Sequence, residues 1–440
     1  MTNAHGVDVE AYIKGEMVLH FSRITLTQRR NDNPIIFFGP GHVHLDRGRL
    51  KYVIYHTGVS DEANRHMAMS FAGQAGELVN EHSLFDFEGV DVAGKIWTAE
   101  GVDTSAGNYS VEFCVVKGSI EFLSSRCAFT GNHQNTLHQI YFDDPHFPSP
   151  HLSIAPGLEF VCGESTVTIA KDESGCDVSV LGGELNDEIA KAIEKTLNVL
   201  SGVRLQLGVT EKICEGHSIV ELYSRDIELS NQRLSPPVEI PFRCPSDFFG
   251  SVFNLLVSFF QQNGEVYYDN WNKLNRAWQA GLESTALNVS VCIEGVLKAY
   301  FEALGTDSDF AELSKRAVPA VMKLEIDERV KSLLRSCLGG SGNFKPKTAL
   351  RALTQSGEIS PELAGKWNKL RSETAHAVVA GEAREDWQRM VDLTFANIKL
   401  FYEILFSIVG YTGERIDYES RGFPSGLPSA RICGMDQAEG

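Results

Sequence analysis

The stretch Pro236–Pro245, PPVEIPFRCP, divides the chain into two textures. Four of its ten residues are proline (Pro236, Pro237, Pro241 and Pro245). A proline lacks an N–H and fixes φ, so such a run cannot continue a helix interior or a central strand and reads as a linker. Before it, the apolar residues alternate over short runs rich in β-branched and aromatic side chains: EMVLHFSRITLT (16–27), NPIIFFGPG (33–41), LKYVIYHTG (50–58), YSVEFCVVKGSIEFLS (109–124) and STVTIAKD (165–172). Gly, Asn, Asp and Pro punctuate them, which predicts an antiparallel sandwich or barrel-like β domain over residues 1–180. A helix at Asn186–Leu200, with Ile189, Ile193 and Leu197 four apart, and the strand-like VRLQLGVT (203–210) and HSIVELYS (217–224) extend that domain as an α/β piece over 181–235.

After the prolines the period changes from two to 3.6. Helices are expected at about 246–263, 275–304, 309–323, 327–337, 346–355, 361–380 and 385–410. The second carries a stripe of Ala286, Val289, Ile293, Val296, Tyr300 and Leu304, and the last one of Trp387, Val391, Phe395, Ile398, Tyr402, Leu405 and Val409. An all-α bundle over 246–411 follows, with an irregular Gly/Pro/Ser-rich tail over 412–440. The fold class is therefore α+β, in more than one domain.

The 440 residues carry 40 basic and 58 acidic side chains, a formal net charge of −18. An excess of this sign speaks against phosphate contacts. The average is uneven, however. From Pro245 onward there are 21 basic and 25 acidic residues, a net of −4, so the first 244 residues hold the remaining −14. Within the second half, Arg329 to Arg371 contains nine basic residues against Glu358 and Glu362, a net of +7. The loop GGSGNFKPK (339–347) joins glycines, an aromatic ring and two lysines, which suits phosphate contact and base stacking or serves as a plain connection. Lys345, Lys347, Arg351, Lys366 and Lys369 are the candidate RNA-binding residues; a solvated charged face is the other reading.

Other features exclude classes. The first 20 residues lack the apolar stretch of a signal peptide. The apolar run Phe248–Phe260 is too short for a membrane helix of about 20 residues. Nine cysteines without a C-x-x-C pair read as reduced thiols in a cytoplasmic protein. GHVHLDRG (41–48) places His42, His44 and Asp46 at alternate positions that share a face if the segment is a strand. Arg47 stands where an HxHxDH hydrolase has histidine and no second ligand cluster follows, so turn or surface histidines are expected and no metal or other cofactor. A metal-dependent hydrolase using these three residues is the remote alternative. His133, His138, His146 and His151 read as loop residues.

The helix at 361–380 is the best marked, with Ser360 as N-cap, Pro361 in the first turn and Gly381 as stop. It contains KWNKLRSETAHAVVAG (366–381), whose His376 is the one histidine after His217. Arg371 and His376 project about 140° apart on a straight helix, so one copy cannot form a compact site. Two copies meeting across a two-fold axis could line a cleft with both pairs. A histidine can move the 2′-hydroxyl or leaving-group proton, and an arginine can hold charge on a phosphorane-like transition state. Ser372, at i−4, shares a face with His376 and can orient its ring. Glu294, inside VCIEGVLKAYF (291–301), can pair with Lys298 at i+4 or support the site. The Arg-x4-His spacing alone proves nothing, since Arg49…His56 and Arg126…His133 are looser chance matches in the β half.

An all-helical C-terminal domain carrying LRSETAH resembles the HEPN ribonucleases and their R-x4–6-H motif, and VCIEGVLKAYF resembles that family's second helix. A β-rich region of over 200 residues ahead of it resembles, by architecture, the ApeA-type HEPN proteins of bacterial anti-phage defence. The resemblance covers about 170 residues. It implies a metal-independent endoribonuclease acting in abortive infection, with catalytic Arg371 and His376 at a homodimer interface and supporting Ser372 and Glu294. Ser372 departs from the asparagine that often follows the family arginine. RNA (tRNA or another cellular or phage RNA), a second copy of the chain and a phage-derived trigger at the β domain would be the partners. A non-catalytic HEPN-like binding module, with a ligand-recognising β domain, is the alternative.

Overall fold

A computed structural model describes residues 7–29, 32–56, 81–109, 114–128, 134–142, 157–172, 175–214, 216–225, 233–239, 245–306, 308–339, 343–375 and 384–427. The chain divides into two compact units. One comprises 1–190, 205–230 and 242–250; the other comprises 191–204, 231–241 and 251–440.

The first unit is built on fourteen strands: β1 (Val18–Gln28), β2 (Ile36–Asp46), β3 (Arg49–His56), β4 (Phe85–Asp91), β5 (Ile96–Val102), β6 (Ser105–Tyr109), β7 (Cys114–Ile120), β8 (Phe122–Ala128), β9 (Thr136–Tyr141), β10 (Leu158–Cys162), β11 (Ser165–Asp172), β12 (Gly175–Leu181), β13 (Leu207–Cys214) and β14 (His217–Tyr223). They form one sheet in the order β10-β11-β12-β9-β13-β14-β8-β5-β4-β1-β2-β3-β7-β6. Every pairing is antiparallel. The expected sandwich or barrel thus takes the form of a single curled sheet. In this order β5 and β7 are five steps apart, about 24 Å if the sheet were flat, yet they contact each other. Curling lets Phe21, Ile24, Tyr52, Phe87, Trp97, Leu123 and Leu222 share one buried core.

β2 and β3 form a hairpin whose two-residue turn, Arg47 (φ 51°) and Gly48 (φ 77°), has both φ values positive. That is the type I′ geometry matching strand twist. Gly41 on β2 lies where a Cβ would collide with the carbonyl oxygen of Val53 on β3, so only glycine permits this approach beside His42. His138 corrects an expectation. It lies on β9 rather than in a loop, and its imidazole pairs with Asp177 of β12.

Ten helices are described: α1 (Val9–Ile13), α2 (Asp187–Ser201), α3 (Pro245–Gln262), α4 (Glu265–Gln279), α5 (Leu282–Gly305), α6 (Ser308–Met322), α7 (Glu328–Gly339), α8 (Pro346–Gln355), α9 (Pro361–Ala375) and α10 (Arg384–Val409). The expected helix over 275–304 is two, because the chain breaks at Gly281 with φ of 108°, and α4 fills sequence left unassigned. α5 packs against α4, α8, α9 and α10. Ala286, Val289, Ile293 and Val296 of its stripe are buried, but Leu304 is exposed, beyond a non-helical Phe301. Trp271, Trp367, Tyr267 and Phe401 centre the core, with the last two stacked at 4.7 Å.

The proline-rich segment differs from its reading as a linker. Leu234 and Val238 are buried. The carbonyls of Ser235 and Pro236 accept hydrogen bonds from Tyr402 and Tyr418, and Pro237 accepts from the Ile416 N–H. Residues 236–239 therefore belong to the helical unit; 240–244 lie outside the described residues. The α/β extension also divides differently: Asn198 of α2 donates to Tyr268 of α4 at 2.6 Å. Within the tail expected to be irregular, Arg415–Ile416 pairs with Ser425–Gly426 as two short antiparallel strands; residues 428–440 lie outside the described residues. Among the described residues no helix is long and apolar enough to cross a membrane.

Candidate functional site

Ser360 caps α9 as its sequence predicts, its hydroxyl accepting the Leu363 N–H at 3.2 Å. The helix buries Leu363, Trp367 and Leu370 and turns Ser372 to solvent. Arg371 follows one turn after Trp367, and its guanidinium lies 5.7 Å from that indole centroid. Trp367 is buried and donates Nε1–H to the Ser290 carbonyl of α5 at 3.4 Å. One turn along α5 from Ser290, Glu294 accepts a hydrogen bond from Arg371 Nε and forms an ion pair with it.

Arg371 and Glu294, 77 residues apart, are thus one unit held by an indole platform. The Arg371 side chain remains 42% exposed and that of Glu294 31%, enough for solvent or a ligand to compete. Since the bond uses Nε, the two Nη groups, the edge suited to a bidentate phosphate contact, lie outside it. Glu294 was expected to pair with Lys298 or to support the site; its ion pair in the structure is with Arg371, across to α9. Trp367 is a platform residue the sequence pattern marks only by its i,i+4 spacing to Arg371. His376 lies outside the described residues, so α9 is described to Ala375 rather than 380. Glu373 adds an ion pair to Arg389 of α10, 3.6 Å apart, which ties down the same end of α9.

The basic candidates separate into groups. Lys345, Lys347, Arg351 and Lys369 are exposed, as are Arg329 and Arg335. Lys347 and Arg351 sit at i,i+4 on α8 and share a face. Lys366 is engaged instead: its ammonium lies 2.6 Å from Glu419. Lys331 likewise pairs with Glu328, at 2.7 Å. Phe344 does not present its ring for stacking in the manner expected, because it is half-buried where a Cβ on Gly305 would strike it. The Lys345 N–H bonds the Gly305 carbonyl at 2.9 Å, fixing this end of the glycine-rich loop to α5.

Glu419, the partner of Lys366, lines a cleft with a cavity of ≈ 240 Å³, together with Glu358, Glu362, Glu403 and Asp417 and with Lys399 and Arg415. Its acids are largely internally matched. Lys399 reaches Asp417 at 2.6 Å and Glu419 at 2.8 Å. Burial opposes the Lys399 charge, but those two carboxylates raise its pKa overall. Burial likewise pushes Glu403 up, with the buried Arg415 opposing. An acidic lining repels a polyanion, and neither Arg371 nor Glu294 lines this cleft.

In the sheet unit, β2 does place His42, His44 and Asp46 on alternate positions of a strand. Asp46 is committed to Lys51, 2.5 Å away. No family model, curated protein or solved structure matches this chain.

Proposed function

We propose that the helical unit is a HEPN-type endoribonuclease acting in anti-phage defence. Arg371 and His376 from two copies would form its composite site, and the β unit would sense a trigger or hold the nuclease in check. The observation that carries this reading is the Arg371–Glu294 pair on the Trp367 platform. It positions one half-exposed guanidinium, with its phosphate-facing edge outside the internal bond, at the only motif in the helical half that also supplies an imidazole. Leu287 and Val291 of α5, seven and three residues before Glu294, are 48% and 57% exposed. They flank Glu294 at helical spacing, an apolar strip suited to an isologous contact that brings the second site alongside. The exposed Lys345, Lys347, Arg351 and Lys369 would hold the RNA backbone.

In the reaction, the His376 imidazole of one copy takes the 2′-hydroxyl proton. The oxygen attacks the adjacent phosphorus, the 5′-oxygen leaves, and the other copy's imidazolium protonates it, giving a cyclic phosphate. Arg371 stabilises the charge that builds on the equatorial oxygens.

The test is RNA cleavage by purified protein in EDTA. Wild type should cut; Arg371→Ala and His376→Ala should each lose about 10²–10³-fold or more. Variants that cut and restrict phage like wild type would sink the assignment, and abolition by chelator would point to metal chemistry. A second reading, a non-catalytic binding module, is favoured by the same ion pair taken as purely structural; wild type that dimerises but cleaves no RNA would select it.

A further inference from the structure

The sheet unit carries a histidine cluster larger than the sequence pattern suggests. His42 and His44 share the outer face of β2, and their ring centroids are 5.2 Å apart. Register places His20 of β1 directly opposite His42, with centroids 6.2 Å apart. Partners across adjacent strands share a face, so three imidazoles from two strands lie side by side. His20 is exposed and the other two are half-buried.

The spacing can be compared with what an ion would need. With Zn–N bonds of about 2.0–2.1 Å, a ligating imidazole has its centroid about 3.2 Å from the ion, so two at the tetrahedral angle lie about 5 Å apart. His42 and His44 already meet that separation, and the His20 ring needs to approach by about 1 Å. With the side chains as they stand, no group of three His, Cys, Asp or Glu among the described residues could hold an ion. Closing it calls for movement of the exposed His20 side chain toward the other two.

One further observation points to a ligand. His44 Nδ1 is buried with no hydrogen-bond partner, and a buried polar atom of this kind carries an uncompensated desolvation cost. The surrounding groups do not compete. Lys51, opposite His44 on β3, is matched by Asp46, and Val53 stands opposite His42.

We propose that His20, His42 and His44 bind one divalent transition-metal ion of the zinc class through three imidazoles. Three nitrogen ligands leave a fourth position for water or an exogenous donor. Asp46, the third member of the sequence pattern, is not a ligand. The site is independent of the ribonuclease reading: a chelator should empty it without stopping RNA cleavage in the other unit.

The test is titration of the metal-stripped full-length protein with Co2+, followed by competition with Zn2+. One Co2+ per chain should bind with visible bands of a nitrogen-ligated ion and without a near-ultraviolet thiolate band. His42→Ala should weaken binding at least about 100-fold, since loss of even an outer-shell partner costs 10–100-fold; His217→Ala should leave it unchanged. Absence of saturable binding, a thiolate band, or wild-type affinity in folded His42→Ala would overturn the proposal. Wild type alone supplies a second measurement. Zn2+ should protect His20, His42 and His44 from diethylpyrocarbonate, mapped by mass spectrometry, and unprotected labelling at all three would also overturn it.

Discussion

Helices α7 and α10 look alike as sequences, yet they meet opposite fates. Each has a 3.6-residue apolar period. α10 buries every residue but Lys399 from Ala396 to Phe406, including Ile398, Phe401, Ile404 and Leu405. α7 buries no residue, and its Val330 and Leu333 are 45% and 63% exposed. α10 packs against α5 and α9, whereas α7 packs chiefly against α6, whose own Phe310 and Leu313 are also exposed. An amphipathic stripe thus declares that a face must be covered, not that the chain itself covers it. Exposed apolar residues concentrated on one helical pair are the usual mark of an association surface.

Substitutions can break this contrast. Phe401→Ala removes a fully buried ring stacked on Tyr267 and should lower stability by about 3–5 kcal/mol in denaturant unfolding; a loss below 1 kcal/mol would mean the α10 core is described wrongly. Glu294→Gln keeps volume but removes the partner charge of Arg371. Because both side chains are partly exposed, the stability cost should be only about 0.2–1 kcal/mol, whereas RNA cleavage, if Arg371 acts as proposed, should fall more than that stability loss explains. His138→Gln probes the sheet. Burial alone would lower the His138 pKa, but the Asp177 hydrogen bond and charge raise it. A raised folded pKa gives stability that is full below about pH 6.5 and is lost as pH rises through the folded value. The stability gap between wild type and His138→Gln should therefore be larger at pH 6 than at pH 9, and a gap that widens with pH would contradict the pairing. Leu333→Ser should be the smallest, within about 0.5 kcal/mol in stability, while lowering any self-association seen by sedimentation; if stability falls as for Phe401→Ala, the α7 face is covered within the chain.

Much of the candidate site was legible one residue at a time. Arg371 stood out through the capped helix around it, and Glu294 through a charge inside an apolar run. Their meeting was not legible, because a contact between residues 77 apart depends on how α5 and α9 pack. For the same reason Lys366 read as a phosphate ligand although Glu419 occupies it, and Phe344 as a stacking ring although Gly305 leaves room for it to pack. The prolines read as a boundary from composition, yet Pro236 and Pro237 present carbonyls that Tyr418 and Ile416 use.

From sequence alone come the α+β class, the switch from alternation to helical period near residue 245, the capped helix α9 and the separation of charge between the halves. Each is set by local sterics and solvation, which act over a few residues. Tertiary structure alone decided the curl of one fourteen-stranded sheet, the pairing of His20 with His42, the seating of Arg371 on Trp367 and Glu294, and which amphipathic helices found cover. Those depend on register and packing between distant segments, where shape and desolvation choose among partners that sequence spacing leaves equivalent.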